Sequence, residues 1–406
     1  MIYYELESMV YNKEVCLFGG GIYGKTRGYD YVTAFGLKVD FYCDNNIAPG
    51  TIIRDGIEVR DIQYLYENKE RIQVFLVVSR RYQSQIMDQL KEHGIDNIII
   101  VDFLFISQLL DSIDASDDEL IKQRCYAIYN DTAYLEKCYE NETGFKLDLN
   151  NPRTFNEKLQ WLKLYDRKPE YTRMVDKYEA KQFVEERIGS GYTIPTLGVW
   201  DSFDEIDFDK LPEQFVLKCT HDSGSMVFVR DKDKLDKEET KKYFDRRLAI
   251  NYFWGKREWV YKNVKRRILA EPYLCDSSEN ELKDYKFFCF QGNVKMIEVD
   301  FDRFIDHKRN IYNKKWEYMP FTIKYPTEPE RVIEPPKCLA EMIMIAKKLS
   351  LNIPHVRIDF YLIDDKPIVG EMTFFHESGM GKFIPSGWDE IFGDWIQLPE
   401  IKSAKE

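Results

Sequence analysis

The sequence has few of the features that mark a membrane protein, a zinc site or a nucleic-acid surface. No run approaches the roughly 18 apolar residues of a membrane-spanning helix, so we expect no span. The chain has only 5 histidines, and none of its 8 cysteines forms a Cys-x-x-Cys motif, which argues against zinc. Its 58 basic residues face 70 acidic ones, and the net charge of -12 argues against broad nucleic-acid binding.

The beginning of the chain and its cysteines suggest where the protein works. The first 14 residues contain no basic stretch followed by an apolar one, which is the pattern of a secretory signal. Several cysteines lie within apolar strand patterns, as reduced thiols of a core do. We therefore expect a cytoplasmic protein with no nucleic-acid partner, and homo-oligomerisation is left open. Its 406 residues suffice for two or three domains.

Strands and helices alternate near the N-terminus, which predicts a parallel sheet with helices on its faces. A helix is expected at 82–93, ended by Gly94. The predicted strands are 14–18, 39–43, 74–78 and 97–101. On this basis residues 1–110 form a Rossmann-like α/β domain, and residues 111–150 form a helical connector.

A glycine motif directly follows the first predicted strand. Gly19, Gly21 and Gly24 form GxGxxG, and Asp44 follows the second strand, which matches the dinucleotide-binding fingerprint. Such glycines let the backbone approach a phosphate at a helix N-terminus. The domain is short for a complete dinucleotide fold, and it resembles the small N-terminal domains of sugar acyltransferases that bind nucleotide sugars. The alternative is that the glycines merely allow the chain to turn.

The pattern changes at about residue 193 to short strands joined by tight turns. Helices are expected at 236–250 and 337–350, and Gln291-Gly292-Asn293 is a hairpin turn. The predicted strands are 215–219, 226–230, 267–270, 285–290 and 294–299. We therefore predict an α+β fold with antiparallel sheets for residues 151–406.

A hairpin at 356–374 is the most informative segment. Apolar and polar residues alternate along it, and a three-residue turn at 364–366 would place Asp359 opposite Glu371. Like charges opposed on a sheet are destabilising, and more so when buried, unless a cation lies between them. Mg²⁺ takes one or two carboxylates together with substrate phosphates. The alternative is two solvated acids on the outer face of a hairpin.

Three lysines are candidates for binding phosphate. Lys218 ends a buried-strand pattern and precedes a Gly/Ser-rich turn at 220–225, whose backbone N–H groups could bind phosphates. Lys177 and Lys181 lie at the start of a predicted helix. The alternative is an ordinary hairpin with a lysine that reaches out to solvent.

Two further stretches could serve an acceptor substrate. Residues 241–267 carry ten Lys and Arg against two acids, interleaved with aromatic residues that suit an anionic sugar or nucleotide. A solvated basic helical face is the interpretation that we prefer. The Gly-rich tail 376–390 either closes over the acceptor or is a surface loop.

The order of these segments resembles the ATP-grasp superfamily, and within it the TupA-like branch associated with teichuronopeptide and surface-polysaccharide biosynthesis. The resemblance covers about 150–395. It rests on NPRTFNEKLQWLKLYDR (151–167), FVLKCTHDSGS (215–225), ILAEPYL (268–274), DYKFFCFQG (284–292) and VRIDFY…VGEMTF (356–374).

The resemblance implies a role for each candidate residue. Lys181 and Lys218 bind the ATP phosphates, and Asp359 and Glu371 hold Mg²⁺. Thr373 stands where many members have an asparagine ligand, which leaves the number of metals open. The other implied contacts are the lid over the phosphates at Asp222, Ser223, Gly224 and Ser225, the adenine hinge at Glu271, Tyr273 and Leu274, the phosphate or carboxylate contacts Arg357, Lys286 and Arg303, and the candidate bases His221 and His376.

The resemblance also implies the reaction, which is ATP-dependent ligation. A carboxylate attacks the γ-phosphate to give an acyl phosphate and ADP, and an amine then displaces the phosphate. The expected substrates are a uronic acid, nucleotide-linked or polymeric, and a small amine or amino acid. Three alternatives stay open, which are a nucleotide-sugar oxidoreductase run by the GxGxxG domain, a phosphotransferase on the same fold, and a non-catalytic sugar- or nucleotide-binding module.

Overall fold

The structure is a computed structural model that describes residues 2–274, 284–302 and 306–401. The chain divides into two compact units, Met1–Tyr134 and Leu135–Glu406. Arg303, one of the predicted contact residues, lies outside the described residues. Within the described ranges, no helix has the length and apolar character that crossing a membrane requires.

The first unit contains the predicted parallel sheet. Its four strands run in the order β2-β1-β5-β6, and all three pairings are parallel. The strands of the unit are β1 (Glu14–Phe18), β2 (Phe41–Cys43), β3 (Ile52–Arg54), β4 (Ile57–Glu58), β5 (Ile72–Leu76) and β6 (Ile98–Ile100). The α/β prediction is confirmed here, because the four predicted strands are found with ends shifted by no more than two residues.

Helices flank the sheet of the first unit. The glycine motif after β1 leads into a π-helical turn, Gly24–Gly28, that continues into α2. Asp61 and Asp102 begin α3 and α5 by accepting backbone N–H groups of the first turn. The helices are α1 (Ile2–Val10), α2 (Tyr29–Ala34), α3 (Ile62–Glu67), α4 (Arg80–Glu92), α5 (Phe103–Asp114), α6 (Glu119–Arg124), α7 (Tyr126–Tyr129) and α8 (Asp131–Thr143), the last of which enters the second unit.

The second unit contains a four-stranded antiparallel sheet in the order β7-β10-β8-β9. Its strands are β7 (Gly198–Trp200), β8 (Phe215–Cys219), β9 (Met226–Val229) and β10 (Ile268–Pro272). The helices of the unit are α9 (Phe155–Tyr165), α10 (Pro169–Val175), α11 (Glu179–Ile188), α12 (Lys237–Leu248), α13 (Phe253–Lys256), α14 (Leu339–Leu349) and α15 (Gly387–Trp395).

A second antiparallel sheet has five strands in the order β13-β12-β11-β15-β16. One face of this sheet is apolar, and Phe287, Ile297, Ile358 and Phe360 are completely buried in it. The strands are β11 (Asp284–Phe290), β12 (Asn293–Phe301), β13 (Lys308–Tyr312), β15 (Val356–Ile363) and β16 (Lys366–Thr373), while β14 (Thr322–Ile323) and β17 (Phe383–Ile384) pair separately. The predicted antiparallel sheets are therefore confirmed.

The hairpin of β15 and β16 corrects one detail of the prediction. Its turn has two residues rather than three, and both Asp364 (φ 49°) and Asp365 (φ 62°) adopt the left-handed conformation that such hairpin turns require. The missing residue is recovered at Gly370, which forms a β-bulge. Asp359 consequently lies opposite Glu371, as predicted.

Helices α9 and α15 pack closely in the second unit. Thr154 begins α9 with a reciprocal cap, because its hydroxyl accepts the N–H of Glu157 while the Glu157 carboxylate accepts its own N–H. Gly393 of α15 lies against this cap, so a Cβ atom there would overlap with the carbonyl oxygen of Arg153. Gly387 at the start of α15 has open space around it.

These two glycines of α15 provide a test of the packing. We expect Gly393→Ala to lower the free energy of unfolding of the second unit by about 1–3 kcal/mol, because the new methyl group forces α15 away from α9. Gly387→Ala should leave it nearly unchanged. Urea unfolding followed by tryptophan fluorescence measures this, since all 7 tryptophans lie in the second unit. Equal stabilities of the two variants would contradict the packing described.

Candidate functional site

One face of the five-stranded sheet carries a band of charged side chains, most of them buried. Residues directly opposed on neighbouring strands point to the same face, and the pairings join the whole set. The charged band consists of Asp284, Lys286, Glu298, Asp300, Arg309, Arg357, Asp359 and Glu371. Three cations against five carboxylates leave two formal negative charges. Such an excess is unfavourable in a mostly buried setting unless a cation or protons join it.

Arg357 connects the two carboxylates of the hairpin. Its Nε donates to Oδ1 of Asp359 at 2.7 Å and its Nη2 donates to Oδ2 at 2.6 Å, which makes a bidentate pair. The same Nη2 lies 3.3 Å from Oε1 of Glu371 and 3.2 Å from Oγ1 of Thr373, which is paired with Arg357 across the hairpin. Burial raises the pKa of Asp359 above its ordinary value, although Arg357 opposes the shift. A further cation would therefore stabilise this carboxylate.

The pair Asp359 and Glu371 fits a magnesium site. Both are hard oxygen ligands, and two carboxylates completed by water and phosphate oxygens are typical of Mg²⁺. The side chain of Asp359 is 5% exposed and that of Glu371 is 44% exposed, so the pair is open on the side of Glu371. Within the described residues, no group of three or more His, Cys, Asp or Glu side chains is arranged to hold a metal. The remaining ligands of a magnesium ion here would be water or phosphate oxygens.

The opposite end of the charged band centres on Asp300. Lys286 donates to its Oδ2 at 2.7 Å and also to Asp284, while Nε of Arg309 donates to Oδ1 at 2.6 Å. Burial favours the protonated carboxyl, but Arg309 and Lys286 outweigh it and hold the pKa of Asp300 well below its usual range. Asp300 is therefore a permanent anion that fixes both cations.

Glu298 lies at the centre of the charged band and was missed in the sequence. It is completely buried, with Nη1 of Arg309 3.1 Å from its Oε2, and burial raises its pKa to about 7. Asp300 and Arg309 were also missed. The available signal was the alternation of Glu298 and Asp300 with Ile297 and Val299, which places two acids on one face of an apolar strand.

Lys181 and Lys218, predicted to share a site, do meet in the second unit. Each donates to one oxygen of Glu271, at 2.6 Å from Oε1 for Lys181 and 2.5 Å from Oε2 for Lys218. Burial lowers the pKa of Lys181, and the carboxylate of Glu271 opposes this shift. Two ammonium groups against one carboxylate leave a local positive charge, which suits a phosphate. The role of Lys181 and Lys218 in ATP binding stays a prediction.

The predicted adenine hinge begins within the end of strand β10 and continues beyond it. Glu271 pairs with Val216 of β8 through the backbone, while its side chain is occupied by the two lysines. Tyr273 lies just beyond the strand, with the guanidinium of Arg230 5.7 Å from its ring centroid. Leu274 is the last described residue before the gap. The contact of this segment with adenine remains a prediction.

The Gly/Ser-rich turn after Lys218 is anchored to helix α12. Arg247 forms an ion pair with Asp222 at 2.6 Å and donates to the Ser223 carbonyl at 3.3 Å and to the Ser225 hydroxyl. Ser225 in turn donates to Asp222. Gly224 adopts φ 82° and has open space around it. The turn is thus fixed at its ends, and its glycine stays uncovered among the described residues.

His221 was a candidate base for the amine. Its Nε2 donates to the Arg247 carbonyl at 3.1 Å, and the side chain is buried. Burial lowers its pKa to about 4, so the ring is neutral and a weak base near pH 7. This geometry favours a hydrogen-bonding role for His221 over a role as the base.

The first residues of the tail after β16, 376–379, are anchored to the rest of the unit and do not form a surface loop. His376 is buried, and its Nδ1 accepts from Nη1 of Arg357 at 2.9 Å. Three residues in a row then adopt the left-handed conformation, Glu377 (φ 46°), Ser378 (φ 54°) and Gly379 (φ 63°). Each of the two non-glycine residues costs roughly 1–3 kcal/mol, so tertiary contacts must hold this conformation.

The basic stretch 241–267 is largely neutralised. Four of its lysines form ion pairs with acids from other parts of the second unit or from α12. The pairs are Lys241–Asp204, Lys242–Glu238, Lys256–Glu142 and Lys265–Asp201. These four pairs fit a solvated basic face, whereas Arg257 of the same stretch is completely buried.

In the first unit, the glycine motif is built into the backbone. Gly19 (φ 120°) donates its N–H to the Cys43 carbonyl at 2.8 Å, and a Cβ atom on Gly24 would overlap with the Gly19 carbonyl oxygen. Asp44 accepts the Gly20 N–H at 2.8 Å. Gly21 has open space around it. The turn itself therefore requires glycine at positions 19 and 24. At Gly21, by contrast, the turn has room for a side chain.

Comparison with known proteins identifies relatives of the chain. A family model described as TupA-like ATPgrasp matches residues 157–397, more than half of the chain. The structure is similar to D-alanine–D-alanine ligase from Bacillus anthracis in complex with ATP, with 13% identity, 89% of this chain and 85% of that chain covered, and a TM-score of 0.30. It is also similar to an L-amino acid ligase from Bacillus licheniformis, with 14% identity, 93% and 69% covered, and a TM-score of 0.30.

The chain has no match among curated proteins.

Three buried neutral histidines predict acid sensitivity of the second unit. Burial lowers the pKa of His221 to about 4 and that of His355 to about 3, and it lowers the pKa of His376 as well. Unfolding restores a histidine pKa of about 6.5, so below that pH the unfolded chain binds more protons than the folded one. Each ring therefore contributes a fall in the free energy of unfolding as the pH drops from about 6.5 towards about 4, by up to about 1.4 kcal/mol per pH unit. Glu298, whose pKa burial raises to about 7, contributes in the opposite direction over this range.

His355→Gln tests this effect. Nδ1 of His355 donates to the Cys289 carbonyl at 3.1 Å, and a glutamine keeps a donor but does not titrate. We expect the variant to bind about one proton fewer on unfolding between pH 6.5 and 4. Urea unfolding at several pH values, followed by tryptophan fluorescence, measures the slope. An unchanged slope would mean that His355 is not held neutral.

Proposed function

This chain belongs to the TupA-like ATP-grasp family of ATP-dependent ligases, and we propose that it joins a carboxylate to an amine through an acyl phosphate. One observation carries the proposal, which is the charged face on which Arg357 lies between the opposed carboxylates Asp359 and Glu371. This arrangement supports positioning and charge neutralisation, which phosphoryl transfer requires more than a protein nucleophile.

The first step transfers the γ-phosphoryl group of ATP. A carboxylate oxygen of the substrate attacks the γ-phosphorus, the bond from that phosphorus to the β–γ bridging oxygen breaks, and ADP leaves. Lys181 and Lys218 bind the phosphates through their shared positive charge. Asp359 and Glu371 hold Mg²⁺, which neutralises phosphate charge when it is bound.

The second step forms the amide. The amine nitrogen attacks the acyl carbon, phosphate leaves with the electron pair of the C–O bond, and the nitrogen loses a proton. Arg357 steadies the acyl phosphate from its position beside Asp359, and Lys286 and Arg303 contact phosphate or carboxylate oxygens. These roles are the ones that the family resemblance implies.

ATP binding involves two further segments in this proposal. The turn formed by Ser223, Gly224 and Ser225 covers the phosphates, which the open space around Gly224 supports. Glu271, Tyr273 and Leu274 form the hinge against adenine. Glu271 would contribute to this hinge through its backbone, because its carboxylate is paired with the two lysines.

The substrates that we propose are a uronic acid, free, nucleotide-linked or polymeric, and a small amine or amino acid, for surface-polysaccharide biosynthesis. The first unit would then be a Rossmann-like domain that binds the nucleotide sugar through Gly19, Gly21, Gly24 and Asp44. A cytoplasmic location agrees with the described cysteines, which are all free thiols.

The carboxylate pair provides the direct test of the ligase. We expect Asp359→Asn combined with Glu371→Gln to lower ADP formation by about 100-fold or more, because the charge at the transferring phosphate is no longer neutralised. The assay follows ADP with a panel of free and UDP-linked uronates and amines, and mass spectrometry resolves the products. Asp365→Asn is the matched control, since Asp365 is an exposed acid in the turn of the same hairpin.

The outcomes of this assay separate the alternatives. Turnover that survives the double substitution would refute the metal assignment. ADP with a phosphorylated product but no amide would indicate a phosphotransferase. Absence of both turnover and Mg-ATP binding in the unchanged chain would favour a non-catalytic binding module.

The glycine motif allows a separate test of the first unit. We expect Gly21→Val to lower affinity for a UDP-linked uronate by about tenfold or more, because its side chain would occupy the open space above the turn. The melting temperature of the Gly21→Val variant should equal that of the unsubstituted protein. Gly24→Ala should instead lower the stability of the first unit through overlap with the Gly19 carbonyl. If titration calorimetry gives the same affinity for the UDP-linked uronate in Gly21→Val as in the unsubstituted protein, the motif only turns the chain.

A further inference from the structure

Lys163 of α9 is a fully buried lysine that the reaction scheme above does not use. Its ammonium group donates to Oε1 of Gln160 at 2.9 Å, to the Lys256 carbonyl at 2.9 Å and to the Ser378 carbonyl at 2.8 Å. An ammonium group has three protons, and all three have acceptors here. Burying a lysine is costly without such partners, so this side chain has a specific attachment that an apolar residue could not provide.

Two other polar residues of α9 bind the same segment. Gln160 donates to the Ser378 carbonyl at 3.0 Å and to the Gly379 carbonyl at 2.6 Å. Asn156 donates to the Gly381 carbonyl at 2.8 Å and accepts its N–H at 3.2 Å. Residues four and seven apart lie on one face of a helix. This face of α9 therefore holds the backbone of segment 378–381, which includes two of the three left-handed residues, Ser378 and Gly379.

The other end of this segment reaches the charged band. His376 accepts a hydrogen bond from Arg357 at 2.9 Å, and Arg357 forms the bidentate pair with Asp359. The ring of His376 is buried against Phe288, with the two ring centroids 4.9 Å apart. A continuous series of contacts thus leads from α9 through segment 376–381 to the guanidinium that faces the metal carboxylates.

We propose that Lys163 is a positioning residue for the ligation. By holding segment 376–381 in its left-handed conformation, Lys163 sets His376 against Arg357 and so fixes the direction of the guanidinium group. The proposal rests on the role of Arg357 in the proposed function. Misplacement of a catalytic group by about 1 Å can cost about 100-fold in rate, so a residue remote from the substrate can control turnover in this way.

Lys158 offers a matched control on the same helix. Its ammonium group also donates to two backbone carbonyls, those of Gly393 at 2.8 Å and Ile396 at 3.0 Å, but these belong to the end of α15 and not to segment 376–381. Lys163→Met and Lys158→Met therefore remove the same kind of interaction from α9. Only the first releases the segment that contacts Arg357.

The experiment compares the steady-state kinetics of the two variants. We expect Lys163→Met to lower kcat for amide formation by about 100-fold, with KM for ATP and the affinity for ADP changed by less than about twofold. Lys158→Met should keep kcat within about threefold of the unchanged chain. A kcat that is unchanged in Lys163→Met, or lowered equally in both variants, would overturn the proposal.

Gly379→Ala decides the matter if Lys163→Met does not fold. A Cβ atom at Gly379 (φ 63°) would overlap with Nε2 of Gln160 and lie 2.8 Å from Cβ of Leu159, so it pushes the segment off α9 and leaves Lys163 in place. We expect the same selective loss of kcat. Unchanged kcat in this variant would overturn the proposal.

A readout that does not need turnover separates this inference from the proposed function. The ring nitrogen NMR shifts of His376, one of 5 histidines, report its contact with Arg357 even if no substrate of the panel reacts. Lys163→Met should change them and Lys158→Met should not. If the His376 shifts are the same in Lys163→Met as in the unsubstituted protein, the positioning role is overturned. If the unsubstituted protein shows no ligase activity, that result argues against the proposed function and leaves the NMR test of the positioning role intact.

Discussion

The bidentate pair between Arg357 and Asp359 is the interaction on which the rest of the charged face depends. A buried guanidinium needs a carboxylate, and a buried carboxylate needs a cation, so neither residue is stable on this face alone. The same guanidinium contacts Glu371 on the next strand and His376 beyond it. The pairing of β15 with β16, the fixed segment after β16 and the direction of the charges all meet at this one side chain.

The second unit has two charged regions of opposite sign. The charged band on the five-stranded sheet has an excess of carboxylates, whereas the group of Lys181, Lys218 and Glu271 has an excess of ammonium groups. A nucleoside triphosphate with its metal ion also combines charges of both signs, because the phosphates are anionic and the metal is cationic. The division of charge in the unit therefore complements the two parts of such a ligand.

Sequence periodicity predicted the elements well where the pattern was local. The hairpin at 356–374, the parallel sheet near the N-terminus and the meeting of Lys181 with Lys218 all followed from strand alternation or from the family resemblance. Glu298, Asp300 and Arg309 were missed because a charged residue in a strand pattern looks the same whether it faces water or a buried partner. The attachment of segment 376–381 could not be predicted either, since Asn156 and Gly381 are 225 residues apart in sequence.

The bulge at Gly370 determines which residue of β16 enters the core. With a three-residue turn and no bulge, the glycine itself would face Phe360, whereas the observed pairing places Val369 there and fills the space. Removing Gly370 would leave a regular ladder in which Asp359 still faces Glu371. The number of residues between Asp359 and Glu371 can thus differ by one among related chains while the two carboxylates stay opposed on neighbouring strands. A motif of fixed spacing would overlook such relatives, and alignment by strand pairing would find them.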